Sequence, residues 1–146
     1  MTEARKNKDI NFGSSRLIPP RIAFVQQKVD LADFTDNTDA TGYVDLATQL
    51  PAGAIPLGFK AVVHTAFAGN TSAVIQVGVS GDLDRFSSVT DQSVFTAGVV
   101  GAGAPADAAD GMNAAQTVRV TVTGGTDFTA ITAGSMTVTV YYIETQ

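Results

Sequence analysis

Strict alternation of side chains over residues 135–143 is the pattern that most limits how this chain folds. The two alternating series are Met136, Val138, Val140 and Tyr142, and Thr137, Thr139, Tyr141 and Ile143. Because successive side chains of a β-strand point to opposite faces, the segment is predicted to be a strand with one face in a core. The second face carries Tyr141 and Ile143, which are too apolar to be left to solvent, so we expect a partner surface there.

Six further segments are predicted as strands, and together they favour an all-β fold. Residues 117–123 alternate valine with threonine and Arg119, and β-branched residues are frequent in 22–29, 42–47, 57–65, 73–79 and 93–99. Gly69-Asn70 and Gly124-Gly125 lie at joints between such segments, where positive φ angles cost little and the chain can reverse tightly. Seven short strands joined in this way predict two packed antiparallel sheets, that is, an antiparallel β-sandwich.

Two stretches are predicted to lie outside the strands. Residues 97–111 are rich in Gly, Ala and Asp, contain Pro105 and have no periodicity, so we expect a long surface loop. Residues 46–50 are the one place where a short helix fits, and Pro51 with Gly53 would end it within a turn or two.

The start of the chain differs from the rest in charge and in pattern. Residues 1–21 contain five basic and two acidic side chains, a net charge of +3, whereas the remainder has four basic and twelve acidic ones, a net charge of −8. The first residues lack a regular period and end in Pro19-Pro20, which favours extended backbone. We therefore divide the chain into an extended basic N-terminal arm, residues 1–20, and a single β-sandwich domain, residues 21–146. The acidic body argues against direct nucleic-acid binding, because phosphate repels it.

The sequence offers little for catalysis. It has no cysteine and a single histidine, His64, which shares a strand face with Val62 and Lys60. We expect His64 to be a strand residue satisfied by local hydrogen bonds. No Gly-x-Ser-x-Gly context for a serine nucleophile occurs. The protein is thus predicted to be non-enzymatic, with no catalytic residue.

No cofactor and no metal ion is predicted either. Asp82 and Asp84 stand next to Arg85 in a turn introduced by glycine, where a local ion pair is the expected arrangement. Residues 101–106 spell G-x-G-x-x-A, yet the residues after them do not form the amphipathic helix that a dinucleotide site requires. The longest apolar runs are far below the ~20 residues of a membrane helix, so no membrane partner is expected.

From Pro20 onward the sequence resembles a family of virus proteins. The resemblance is carried by the segments PAGA at 51–54, AVIQVG at 73–78, GDLDRF at 81–86, TVRVTVT at 117–123 and AGSMTVTVYYI at 133–143. In these segments the chain is similar to the head decoration, or cement, proteins of tailed bacteriophages, which have a jelly-roll-type sandwich. The resemblance implies an all-β, jelly-roll-like antiparallel β-sandwich without a catalytic residue.

The resemblance also implies a function and a location. Proteins of this family sit on the outside of the capsid shell, commonly as trimers, and tie neighbouring capsomers together. The expected partners are therefore the major capsid protein and further copies of this chain in a homotrimer. The basic start of the sequence leads into Asp9, Asn11 and Gly13 and not into an apolar run, so no secretion signal is expected. We expect synthesis in the host cytoplasm and a final place on the capsid surface of the virion.

Partner binding is assigned to the arm and to the last strand. The candidate residues are Arg5, Lys6, Lys8, Arg16, Leu17, Ile18, Tyr141 and Ile143. Two alternatives stay open. In the first, the chain is a tail, baseplate or head-fibre component of the virion. In the second, it is a carbohydrate-binding β-sandwich module in which the Tyr141-Tyr142 pair offers a surface for stacking on sugar.

Overall fold

The computed structural model describes residues 20–87, 92–104 and 112–144. The strands in these ranges are β1 Arg21–Asp30, β2 Thr35–Asp36, β3 Thr41–Asp45, β4 Ile55–Ala68, β5 Ala73–Gly78, β6 Gln92–Ser93, β7 Gly98–Gly103, β8 Arg119–Gly124 and β9 Ala133–Glu144. The described residues also form two short 3-10 turns, Leu31–Asp33 and Phe128–Ala130. None of the helical segments in these ranges is long and apolar enough to cross a membrane.

The strands form two antiparallel sheets. Their order is β1-β9-β4-β7 in a four-stranded sheet and β2-β3-β8-β5-β6 in a five-stranded sheet. When the two-residue β2 is set aside, the other strands pair first with last and then inward, β1 with β9, β3 with β8, β4 with β7, and β5 with β6. This nested pairing, wrapped into two facing sheets, is the jelly-roll topology. The predicted fold class, an all-β, jelly-roll-like antiparallel β-sandwich, is confirmed.

The core lies between the sheets and is formed by the alternating residues that the sequence pattern indicated. Met136, Val138 and Val140 of β9 are fully buried, and so are Val120 and Val122 of β8. Burying an aliphatic side chain of this size stabilises the fold by about 1.5–3 kcal/mol relative to leaving it exposed. The facing valine rows therefore hold the two sheets together.

Three phenylalanine rings close one end of the sandwich, and we call Phe34, Phe67 and Phe128 the aromatic plug. The ring of Phe34 lies 5.8 Å from that of Phe67, nearly at right angles, and 6.0 Å from that of Phe128. Gly134 lies against the Phe67 ring and Gly42 against the Phe128 ring, so closely that a Cβ atom at either glycine would overlap the ring. The plug thus occupies the end at which β1 and β4 finish and β9 begins.

The region between β5 and β7 departs from the predicted strand over 93–99. The structure instead has a two-residue β6 and a separate β7 that begins at Gly98. Val94 lies between them and bonds to both sheets, since its N–H donates to the Ala73 carbonyl and its carbonyl accepts from the Phe67 N–H. The chain therefore crosses from one sheet to the other at this point, and a continuous strand was the wrong prediction.

Two further predictions were wrong. The long loop predicted over 97–111 is a strand over its first part, because β4 offers β7 an unbroken row of partners from Gly58 to Val63; residues 105–111 lie outside the described residues. No helix forms over 46–50, where Leu50 instead exchanges two backbone hydrogen bonds with Gln116. The predicted arm, residues 1–20, lies outside the described residues except for Pro20.

Candidate interaction surface

The outer face of the four-stranded sheet carries an apolar cluster at the end opposite the aromatic plug. Ile22 of β1 and Ile55 of β4 both pair with Ile143 of β9, and Phe24 pairs with Tyr141. Residues directly opposite each other in a sheet project from the same face, so these side chains are neighbours. We call Ile22, Phe24, Ile55, Tyr141 and Ile143 the apolar patch.

Much of the apolar patch is open to solvent. Ile22 is 69% exposed and Phe24 is 59% exposed, although their neighbours Val25 and Tyr142 on the inner face are buried. The rings of Phe24 and Tyr141 lie 6.4 Å apart in a tilted arrangement, which fixes their positions relative to each other. Single exposed apolar residues are ordinary on protein surfaces, but a contiguous cluster of them marks an interaction site.

Polar contacts lie next to the apolar patch in both directions along the strands. At the strand ends, the paired residues Arg21 and Glu144 belong to the series that faces away from the patch; the Glu144 carboxylate accepts a hydrogen bond from Arg21, and this bond raises the pKa of the Arg21 guanidinium. Towards the middle of the sheet, the Gln26 amide donates to the Thr139 hydroxyl at 2.8 Å. The surface is therefore a bounded site at one end of the sheet.

The outer face of the five-stranded sheet is different, because its charged groups satisfy one another. Arg119 donates two hydrogen bonds to the Asp45 carboxylate, at 2.7 and 2.8 Å, and its guanidinium lies 3.9 Å from the centre of the Tyr43 ring. The bond from Arg119 holds the pKa of Asp45 below its usual range. Tyr43 is thus already covered by a cation of the same chain.

A polar cleft of about 340 Å³ opens beside this ion pair. Its lining residues are Asp45, Gln49, Val79, Ser80, Ala115, Gln116 and Thr117. None of these described lining residues is aromatic, and Tyr141 lies on the other sheet. The cleft therefore lacks the stacking surface on which the carbohydrate-binding alternative depends.

The structure brings together part of the predicted partner-binding set. Tyr141 and Ile143 are neighbours in the apolar patch, whereas Arg5, Lys6, Lys8, Arg16, Leu17 and Ile18 lie outside the described residues. Sequence reasoning missed Ile22, Phe24 and Ile55. A signal for the first two was present, because residues 22–25 are apolar at four consecutive positions. A strand with that pattern has an apolar side chain on each face and needs a cover on both.

The other singled-out side chains have structural explanations. His64 is exposed and its Nε2 atom lies 2.9 Å from the Thr137 hydroxyl, the local hydrogen bond that was expected. Asp82 and Asp84 lie in turns over 79–87, and Arg85 Nε is buried without a hydrogen-bond partner among the described residues. The described residues contain no group of three or more His, Asp or Glu side chains placed to hold a metal ion.

Comparisons with known proteins support the fold. No protein-family model matches the sequence, and no curated protein matches it. A chain from the crystal structure of tomato aspermy virus aligns with 98% of this chain and 96% of its own at a TM-score of 0.51, with 8% sequence identity. At that identity the likeness shows a shared fold and nothing finer.

Two other solved structures align less closely. A chain of the cyanophage Pam1 capsid asymmetric unit covers 92% of this chain and 97% of its own, at 19% identity and a TM-score of 0.49. FLHE covers 83% of this chain and 96% of its own, at 11% identity and a TM-score of 0.41.

Proposed function

We propose that this chain is a non-enzymatic virion structural protein that decorates the outside of a capsid shell and stabilises it. The observation that carries the proposal is the apolar patch at the point where the N-terminal arm joins the sandwich. Ile22 belongs to the patch, and Pro20, the last residue of the arm, is two positions before it. Any contact between copies through the patch would therefore bring their Pro20 residues, where the arms end, near that contact.

In this arrangement the apolar patch would join copies of the chain, and the arms would attach them to the capsid. Contact through the apolar patch would bury Phe24 and Ile22, each contributing about 1.5–3 kcal/mol when fully buried. In a homotrimer built on this contact, three arms with a net charge of +3 over residues 1–21 would emerge together. Linked weak contacts add up to tight attachment, because the second and third contacts form at high effective concentration. The partner that suits such arms is a major capsid protein whose outer surface is acidic.

The fold is consistent with this function. Jelly rolls are frequent in viral capsid proteins, and the tomato aspermy virus chain has the same fold as this one. Jelly rolls also occur in lectins, so the fold alone does not choose between a virion protein and a sugar-binding module. The apolar patch favours the former, because its aliphatic residues offer few hydrogen bonds to a sugar and suit a protein surface.

The test places one negative charge on the patch and compares it with the same charge elsewhere. Phe24→Glu should abolish the trimer in light scattering and lower occupancy on capsids stripped of the protein by more than about tenfold. Gln76→Glu is the matched control, because Gln76 lies on the outer face of the five-stranded sheet between buried Ile75 and Val77. The control should keep both the trimer and the occupancy.

Removing the arm separates its role from that of the patch. A chain that begins at Ile22 should melt at nearly the wild-type temperature and remain a trimer, yet occupy stripped capsids poorly, and more poorly still at high salt. Occupancy that is equal for wild type, Phe24→Glu and the truncated chain would overturn the proposal. Imaging of whole virions that places the protein on the tail would assign the tail alternative instead.

A further inference from the structure

The edge strand β7 has an unpaired side. It pairs with β4 and with no other described strand, which makes it the last strand of the four-stranded sheet. Gly98, Val99, Gly101 and Gly103 are exposed, and Val99 is 67% exposed. An exposed edge strand presents unpaired N–H and C=O groups to any extended chain that approaches it.

The register identifies which backbone groups are free. The Ala104 N–H donates to the Leu57 carbonyl at 3.0 Å. The Gly101 backbone lies so close to β4 that a Cβ atom on Gly101 would be only 2.6 Å from the Phe59 carbonyl oxygen. Both observations place the hydrogen bonds to β4 at Ala104, Ala102 and Val100. In an antiparallel pair, the residues between those that bond to the neighbouring strand direct their N–H and C=O groups away from that strand. The free groups are therefore those of Val99, Gly101 and Gly103.

The side chains of β7 do nothing to block this edge. The strand carries no charged residue and no proline, and glycine occupies two of the three outward-directed positions. β1 at the opposite edge of the same sheet has Arg21, Lys28 and Asp30, charges of the kind that protect sheet edges from unwanted pairing. Gly101 is needed because β4 approaches closely, but Gly103 has room for a Cβ, 3.8 Å from its nearest neighbour. The absence of a side chain at Gly103 is thus not explained by packing within the chain.

We propose that β7 pairs in antiparallel fashion with β7 of a second copy of this chain. A two-fold axis beside Gly101 places Val99 of one copy opposite Gly103 of the other, so that all outward-directed groups meet. This pairing gives up to about six backbone hydrogen bonds and joins the two four-stranded sheets into one. It is a contact between copies distinct from the apolar patch, which lies on the face of the sheet and not at its edge.

A second copy suits this edge better than other occupants do. The residues of β7 with free backbone groups, Val99, Gly101 and Gly103, are spaced evenly on either side of Gly101. The free N–H and C=O groups of one copy therefore lie opposite those of the other when the two strands pair about Gly101. Both strands are uncharged, so their approach brings no repulsion. A two-fold contact uses the same edge on both partners and closes, leaving neither β7 edge exposed.

Engineered disulfides test the register. Directly opposed residues that share hydrogen bonds have Cα atoms about 5.5 Å apart, within the range of a disulfide. Because the chain has no cysteine, the double variant Val99→Cys/Gly103→Cys should form a covalent dimer under mild oxidation. Val99→Cys alone and Gly103→Cys alone are the matched controls, since the identical positions of two copies lie about 14 Å apart along the strands and cannot bridge. All three variants should be made in the wild-type chain and in the Phe24→Glu chain, where the patch contact is removed.

A second pair of variants tests the backbone groups themselves. Gly103→Pro removes one outward N–H and leaves the hydrogen bonds to β4 intact, so it should weaken dimerisation of the Phe24→Glu chain more than about tenfold in sedimentation equilibrium. Gly103→Ala keeps the N–H and should dimerise like the parent. Equal cross-linking of single and double cysteine variants would overturn the pairing. So would a Gly103→Pro variant that dimerises normally, or one that fails only to bind capsids, which would assign the edge to a strand of the partner.

Discussion

The two ends of the four-stranded sheet use the same kinds of side chain in opposite ways. At one end, the rings of Phe67 and Phe128 are buried and touch Phe34. At the other end, Phe24 and Tyr141 also lie ring against ring, yet Phe24 is 59% exposed. The chain supplies its own cover at the plug, through the 3-10 turn at Phe128–Ala130, and supplies none among its described residues at the patch.

The difference teaches which aromatic residues serve folding and which serve association. Aromatic side chains bury large areas, so leaving them exposed forgoes stabilisation that the plug end obtains. A second difference points the same way: loops at the plug end are tied by hydrogen bonds, with the Asn70 side chain bonded to the Asp127 carbonyl and to Thr126. The patch end exposes side chains on the outer face of three paired strands, which suits a partner surface of complementary shape.

Truncating one ring at each end should give the largest contrast. Phe67→Ala should lower the free energy of unfolding by about 3–5 kcal/mol, because it opens a cavity in a fully buried site. Phe24→Ala should cost less than about 1 kcal/mol in the monomer, since its ring is already largely in water. Urea denaturation of both variants at high dilution, where copies of the chain are separated, provides the measurement. Similar losses for the two variants would contradict the comparison.

Adding a methyl group at each end should change the free energy of unfolding less than removing a ring does, and again more at the plug end than at the patch end. Gly134→Ala pushes a Cβ atom against the buried Phe67 ring and should destabilise the protein by about 1–3 kcal/mol. Gly103→Ala, near the patch end, meets only the Leu57 carbonyl oxygen at 3.8 Å, an ordinary van der Waals contact, and should change stability by no more than about 0.5 kcal/mol. Melting midpoints of the two variants would settle this, and a more stable Gly134→Ala would show that the plug has room to adjust.

Much of the fold was predictable from the sequence because its central strands alternate. Val138 and Val140 have buried positions, and Thr137 has an outer one, as the period of two requires. The edge strand β7 was missed because Gly98, Gly101 and Gly103 give it neither strand propensity nor alternation. Its pairing is imposed by β4, a tertiary effect that no local pattern contains.

Only part of the apolar patch was predictable from the sequence. Tyr141 and Ile143 stood out because they interrupt a polar series on β9. Ile22 and Phe24 join them through the continuous register of β1 on β9. Ile55 joins them through the register of β4 on β9, which depends on a bulge between Pro56 and Gly58 that the sequence does not reveal. The aromatic plug was missed for the same reason, since Phe34, Phe67 and Phe128 are far apart in the chain.

The smallest effect expected is on the pH dependence of the plug end. Asp39 and Asp127 each accept hydrogen bonds from the hydroxyl and the backbone N–H of a threonine two residues later, Thr41 and Thr129, and these bonds lower the pKa of both carboxyls. Both are fully exposed, so solvent weakens the effect.

The direction of this pH dependence follows from proton binding. A carboxyl with a lower pKa in the folded state binds fewer protons there than in the unfolded chain, so its stabilisation is complete above the unfolded pKa of about 4. It is lost as the pH falls through the folded pKa. The melting midpoint should therefore fall by a few degrees in acid, and Asp39→Asn/Asp127→Asn should flatten that fall in part, leaving the share due to Asp45. The protection factors of the Thr41 and Thr129 amides, that is, their exchange rates relative to the intrinsic rate at each pH, should fall in the same pH window in wild type and not in the double variant. An unchanged acid profile in the double variant would mean that these two turns do not take part in holding the plug end closed.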